Sequence, residues 1–289
     1  MGLAFLLAAC GSAGTRARAG GNGRLAVVAA ENFYGNIAAQ IGGPYVSVTS
    51  ILSDPNADPH LFEPGTAAGV AVADATLVID NGLGYDAFMD RLLAAAPNSA
   101  RRVVTIAKAL GIAGSSANPH VWYDVPRLPQ IAKAIADGLA AADPGHGSSF
   151  QARLASFVTS LKPLDDAVAG IKAKHTGAPV AYTEPVPGYL LQAAGLVVRT
   201  PESFAVAIEE GNEPTPQAVA AMEGVLTNNQ VQVLLYNRQA TSPITNRMRQ
   251  IAEQHRIPVV PLTETLPPGM SFQQWQLEQL HALAKALGE

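Results

Sequence analysis

The sequence predicts an α/β protein of two Rossmann-like lobes, each built on a parallel sheet, joined by one long linking helix. Three observations predict it. From Arg24 onward β-rich runs alternate with helical runs, the pattern of a parallel sheet covered on both faces. The alternation breaks once, over residues 147–174, and then restarts. The 289 residues suffice for two ordinary cores but not three.

The first lobe, expected over residues 24–146, opens with the strand RLAVVAA and a helix from about Gly35 to Ile41. The strand VSVTSIL follows, then a helix near Thr66–Ala73, the strand ATLVID, a helix near Tyr85–Ala95 and the strand RRVVTI. Residues 147–174 form the expected linker. Their apolar residues recur every three or four positions, as an amphipathic helix requires, and Pro163 is expected to bend it by removing one backbone hydrogen bond.

The second lobe, over 175–289, repeats the scheme with strands APVAYTE, LVVRT, VQVLLYN and IPVVPL. Helices are expected near Gly188–Ala194, Thr215–Asn228 and Ile244–His255, with a closing helix from Ser271 to Leu287. Thr215 and Pro216 make a good helix start, as cap and first helical residue. The preceding PESFAVAIEEGNE reads as a loop or ligand-side flap.

Composition narrows the function. A net charge of −4 with 15% charged residues offers no clustered basic surface for nucleic acid. No apolar run beyond the N-terminus reaches the length of a membrane span. The single cysteine, Cys10, permits neither an internal disulfide nor a thiolate cage, so any metal must be held by nitrogen and oxygen.

Residues 1–23 stand apart. MGLAFLLAAC followed by a Gly-rich stretch resembles a bacterial lipoprotein signal, whose cysteine becomes the lipidated first residue of the mature chain. On that resemblance Cys10 is the anchor, and the aperiodic segment after it is a flexible tether. No Lys or Arg precedes the apolar stretch, so the segment is expected to begin further upstream.

Chemistry concentrates in two loops. His60 lies in NADPHLFEP after VSVTSIL, and His120 lies in NPHVWYD after RRVVTI. Each follows a proline, which stiffens the loop that carries the imidazole. In open α/β sheets ligands gather at the carboxyl ends of the strands. The same test in the second half selects Glu184, ending APVAYTE, and Glu264, after IPVVPL, with Glu202, Glu209, Glu210 and Glu213 as competitors for the last position.

These motifs, with AAENFYGNIAAQIGG near the start and the long linker, resemble the metal-specific solute-binding proteins of bacterial zinc and manganese ABC importers. The resemblance runs from Arg24 to the end. It implies metal ligation by His60 and His120 from the first lobe and by Glu184 and Glu264 from the second. It also implies capture of one Zn²⁺ or Mn²⁺ per chain, a partner permease with its ATPase, an extracytoplasmic anchored location, a monomeric chain and no enzymatic activity. Two positions depart from the family pattern: Asn118 stands where aspartate is usual, and Glu264 is one methylene longer than the usual aspartate.

Two imidazoles and two carboxylates suit Zn²⁺ or Mn²⁺, with the carboxylates tilting towards manganese. The ion is expected to bridge the lobes and favour a closed form. Asp54, Asp58 or Glu63 is expected to orient His60. Trp122 and Tyr123 either wall the cleft or belong to the core, while His146, His175, His255 and His281 read as surface residues. A metallohydrolase would need a general base beside an open metal position, and a surface adhesin would need an exposed aromatic face. The sequence supplies neither.

Overall fold

The computed structural model describes residues 19–20, 23–114 and 117–288. Cys10 and residues 1–18 and 21–22 of the lipoprotein-like segment lie outside the described residues, while Ala19–Gly20 of the expected tether form a short strand. In chain order the elements are β1 (Ala19–Gly20), β2 (Arg24–Glu31), α1 (Asn32–Gly42), β3 (Val46–Leu52), α2 (Thr66–Asp74), β4 (Leu77–Asp80) and α3 (Ala87–Ala95). Next come β5 (Arg102–Thr105), α4 (Ile106–Ala109), α5 (Leu128–Ala142), α6 (Gly147–Ser160) and α7 (Lys162–His175). The second half contains β6 (Pro179–Tyr182), α8 (Gly188–Ala193), β7 (Val197–Val198), α9 (Glu202–Glu209), α10 (Pro216–Thr227), β8 (Val233–Asn237), α11 (Pro243–Gln254), β9 (Val259–Leu262) and α12 (Phe272–Ala286).

Each half carries its own parallel sheet. In the first, the order is β3-β2-β4-β5, with β1 antiparallel to the start of β2. In the second it is β7-β6-β8-β9, all parallel. The central strands are apolar because helices cover both faces: every residue of β4 (LVID) and of β8 (VLLYN) is buried. Helix starts follow local chemistry. Thr215 caps α10, and Ser242 and Ser271 close capping boxes on α11 and α12.

Besides the short β1 and α4, which the sequence does not predict, three elements differ from the sequence expectation. Helix α5 is not among the expected elements, although Leu128, Ile131, Ala132, Ile135, Ala136 and Leu139 give it a buried face at helical spacing. Residues 202–209 form a helix, not a loop, because Phe204, Ala205 and Ile208 bury one side of it. The linker is two helices, not one bent helix. It breaks at Leu161, and Pro163 lies in the first turn of α7, where a missing N–H leaves nothing unsatisfied.

That break matters for how the halves join. Helix α6 packs on α1 and α5, whereas α7 packs on α12 and α8. The chain therefore passes from one lobe's packing to the other's at Leu161. The lobes also share a core. Phe33 of α1 stacks on Trp122 at 4.3 Å and lies 6.1 Å from Trp275 of α12, and Trp275 meets Tyr123 at 6.0 Å. All four rings are buried. The Asn32 side chain donates to the Leu266 carbonyl at 2.8 Å and accepts from its N–H at 2.9 Å, adding a backbone-like pairing across the seam. Among the described residues no helix is long and apolar enough to cross a membrane.

Candidate metal centre

The carboxyl ends of both sheets face one cleft of about 850 Å³, continuous at His60 with a smaller hollow of about 420 Å³. His60 sits in the single turn Pro59–Leu61 after β3, which Asp58 caps by accepting from the His60 N–H at 2.9 Å. His120 immediately precedes the turn Val121–Tyr123. Glu184 follows β6, and Glu264 follows β9. Of the four, His120, Glu184 and Glu264 are fully buried, and His60 is mostly so.

The structure brings all four together. His60 Nε2 is 2.6 Å from Glu184 Oε1 and 3.9 Å from Glu264 Oε1, and His120 Nε2 is 3.3 Å from Glu264 Oε2. A fifth group joins them: Glu209, the last residue of α9, puts Oε2 3.7 Å from His120 Nε2. The donors fall into two sets that share Glu184. One is His60, Glu184 and Glu264, the other His120, Glu184 and Glu209, and within each set the ligand atoms lie within 4.8 Å of one another.

The supporting contacts are as specific as the donors. Asn237, at the end of β8, donates from Nδ2 to Glu184 Oε2 and, at 2.7 Å, to Glu264 Oε1, tying the two carboxylates together. The Tyr85 hydroxyl donates to Glu264 Oε2 at 2.9 Å. Tyr85 rides on a turn in which Gly82, Leu83 and Gly84 all have φ between 58° and 82°. A β-carbon on Gly82 would meet Thr105 at 2.7 Å, and Asp86 holds the turn by accepting the Asn81 and Gly82 N–H groups. A leucine in left-handed conformation costs on the order of 1 kcal/mol, a strain that accompanies the aiming of Tyr85.

Asn118 explains its departure from aspartate. Its Oδ1 accepts from the His120 N–H at 3.0 Å and lies 2.7 Å from His120 Nδ1, which fixes the tautomer that leaves Nε2 free to face the carboxylates. Its Nδ2 donates to the Pro185 carbonyl at 2.7 Å, a bond a carboxylate could not make. One amide thus orients His120 and reaches the loop that holds Glu184. Gln239 acts similarly on the other side. Its Oε1 accepts the Glu264 and Thr265 N–H groups, and its Nε2 donates to the Ala57 carbonyl in the His60 loop.

Asp54, Asp58 and Glu63 do not orient the His60 ring. Asp54 accepts from the Asn56 N–H, Asp58 caps the His60 turn, and Glu63 pairs with Arg91. Trp122 and Tyr123 are core residues, with no exposed surface. Trp122 does touch the site from beneath, its ring 5.2 Å from His120 and 4.8 Å from Tyr85. His146, His175, His255 and His281 belong to no cluster of donors among the described residues.

Electrostatically the centre holds protons where a cation would sit. Burial opposes charge on His60, but the hydrogen bond to Glu184 and the charges of Glu264, Glu184 and Glu209 outweigh it and push its pKa up to about 10. Burial likewise opposes charge on His120, and Glu209 and Glu264 turn the balance upward. Burial, reinforced by Glu264, raises Glu184. For Glu264 the neighbouring histidines and Asn237 overcome the cost of burial and draw its pKa down.

The family model described as ZnuA, zinc-uptake complex component A, periplasmic, matches residues 27–286. The chain belongs to that family. Within the ZnuA family, it is 29% identical over 168 residues to "Manganese-binding lipoprotein MntA" of Halalkalibacterium halodurans, which covers 57% of this chain and 55% of that protein. It is 25% identical over 279 residues to "Metal ABC transporter substrate-binding lipoprotein FimA" of Streptococcus parasanguinis, covering 89% of this chain and 84% of that one. The chain spans about half the length of several curated relatives that it matches. In fold it is similar to the periplasmic zinc-binding protein TroA of Treponema pallidum, with a TM-score of 0.78 at 18% identity, over 92% of this chain and 100% of that one.

Three residues of the centre were not assigned as site residues from sequence. Asn237 ends β8, but an amide is not an ordinary metal ligand, so nothing in the sequence marks it. The sequence marks Tyr85 only as a helix start. Glu209 is one of the four competitors for the position of Glu264, and it approaches His120 together with Glu264 instead of replacing it.

Proposed function

We propose that this chain is the extracytoplasmic solute-binding component of an ATP-driven importer. It captures one divalent transition-metal ion, Zn²⁺ or Mn²⁺, and delivers it to a membrane permease. The observation that carries the reading is the convergence of His60 and His120 from one lobe with Glu184 and Glu264 from the other, with Asn118 orienting His120 and Asn237 spanning the two carboxylates. Relatives named as manganese-binding and zinc-binding proteins support the cargo class. Cys10 is the lipid anchor in this reading, and the Gly-rich tether lets the lobes reach the permease.

The chemistry follows from the centre. An incoming ion takes the place of the protons now shared between imidazoles and carboxylates, because metal binds the neutral ring and the anionic carboxylate. Two ligands from each lobe make the ion a bridge. Since the lobes already share an aromatic core, the ion draws together loops at the cleft and does not swing whole lobes. Release then requires the permease to separate those loops.

The test is thermal or denaturant unfolding of the protein with and without metal. At a thousandfold excess over the dissociation constant, bound metal stabilises the fold by about 4 kcal/mol. The double variant His60→Ala, His120→Ala is expected to lose that stabilisation, and a variant that retains it refutes the site. Metal analysis of protein purified without added metal, together with growth of a deletion strain in zinc- or manganese-depleted medium, identifies the cargo.

A further inference from the structure

We infer that Glu209 is a fifth protein ligand to the captured ion, and that it selects an ion able to take more than four ligands, Mn²⁺ over Zn²⁺. The inference rests on the metal-capture reading above and adds one donor to it.

Geometry comes first. Glu209 belongs to a donor set of its own with His120 and Glu184, and its Oε2 is 3.7 Å from the His120 ring nitrogen. The second observation is independent of that clustering. Glu209 Oε2 is buried and accepts no hydrogen bond from the described residues, whereas the other two carboxylates are held by Asn237 and Tyr85. A buried carboxylate oxygen without a partner is costly, and a cation at the junction of the two sets supplies the partner. Position is the third. Glu209 closes α9, whose Phe204, Ala205 and Ile208 anchor the helix in the second lobe, so the carboxylate is presented to the larger cleft from a fixed support.

Coordination chemistry then decides what the extra donor does. Zn²⁺ is satisfied by four ligands, and His60, His120, Glu184 and Glu264 already provide them. Mn²⁺ is harder, favours oxygen and takes about six ligands, so an additional anionic oxygen raises its affinity while adding little for zinc. The ordinary affinity order favours zinc, and a site that prefers manganese must do so through ligand number and geometry. Two overlapping sets that share Glu184 provide that number without a second ion.

The experiment titrates MnCl₂ and ZnCl₂ separately into wild type, Glu209→Gln, Glu209→Asp, the exposed neighbour Glu210→Gln, and His60→Ala. The paramagnetic resonance spectrum of bound Mn²⁺ is recorded in parallel. Glu209→Gln is expected to weaken Mn²⁺ by at least about tenfold and Zn²⁺ by less than about threefold, with an altered Mn²⁺ spectrum. Glu209→Asp, shorter but still charged, falls between, and Glu210→Gln matches wild type. If Glu209→Gln binds both ions as wild type does, or loses both in equal proportion, the fifth-ligand inference is overturned. If wild type takes up neither ion, or His60→Ala binds both unchanged, the metal-capture reading itself falls.

Discussion

Raising the pH from 6 to 8 should tighten metal binding by about 100-fold for each proton the ion displaces, and the structure sets how many there are. In the metal-free centre His60 Nε2 and Glu184 Oε1 are 2.6 Å apart, a contact that helps His60 keep its proton over the neutral range. With His60 pushed up to about 10, binding at pH 7 requires removing that proton three units below its pKa, a cost of about 4 kcal/mol, or a thousandfold in affinity. Burial opposes charge on His120 as well, and Glu209 and Glu264 shift it in the same upward direction. The sign is fixed by linkage. A histidine whose folded pKa is raised stabilises the metal-free fold below its unfolded value of about 6.5, and loses that contribution as pH rises through about 10. Metal affinity therefore rises where metal-free stability falls. Titration calorimetry at several pH values, in buffers of different ionisation enthalpy, counts the released protons directly. A dissociation constant that is flat between pH 6 and 8, with no proton release, would refute the arrangement of imidazoles and carboxylates described here.

Asn237→Leu removes the amide that spans Glu184 and Glu264, and should weaken metal binding by about 10- to 100-fold with a smaller loss of stability, measured by titration and melting. Asn118→Asp keeps an acceptor for the His120 ring but loses the bond to the Pro185 carbonyl. It should leave metal affinity within about an order of magnitude while lowering unfolding stability by about 1–3 kcal/mol in urea. Trp122→Ala opens a hole where the two lobes meet and should cost about 3–5 kcal/mol in a single cooperative transition; two separated transitions would show that the lobes unfold independently. Glu31 is fully buried with both carboxylate oxygens unpartnered among the described residues, and burial, with Asp86 and Asp80, raises its pKa well above the ordinary range. The native state therefore holds a proton that the unfolded chain releases at about pH 4.3, and stability falls as pH rises above that value. Glu31→Gln should flatten this slope in pH-dependent melts.

Much of the fold was legible because strand–helix alternation leaves a strong trace: each of the eight strand runs proposed from sequence contains a strand of the structure. Helix α5 escaped although its periodicity is present, because six of its fifteen residues are alanine, which marks neither face. Helix α9 escaped because its short apolar run is flanked by Glu and Gly, the composition of a loop. Within the centre, Pro-His doublets and carboxylates at strand ends carried enough information to find His60, His120, Glu184 and Glu264. Asn237, Tyr85 and Gln239 act through hydrogen bonds across 25 to 182 positions of sequence, and such pairings have no local signature.

The aromatic seam of Phe33, Trp122, Tyr123 and Trp275 has a practical consequence for anyone converting this chain into an optical metal sensor. Fluorophores placed one on each lobe, far from the cleft, would report little, since a common core holds their separation nearly constant. Trp122 itself is the better reporter. Its indole lies against His120 on one side and the lobe junction on the other, so deprotonation and metal loading of that imidazole alter the quantum yield of a chromophore already present.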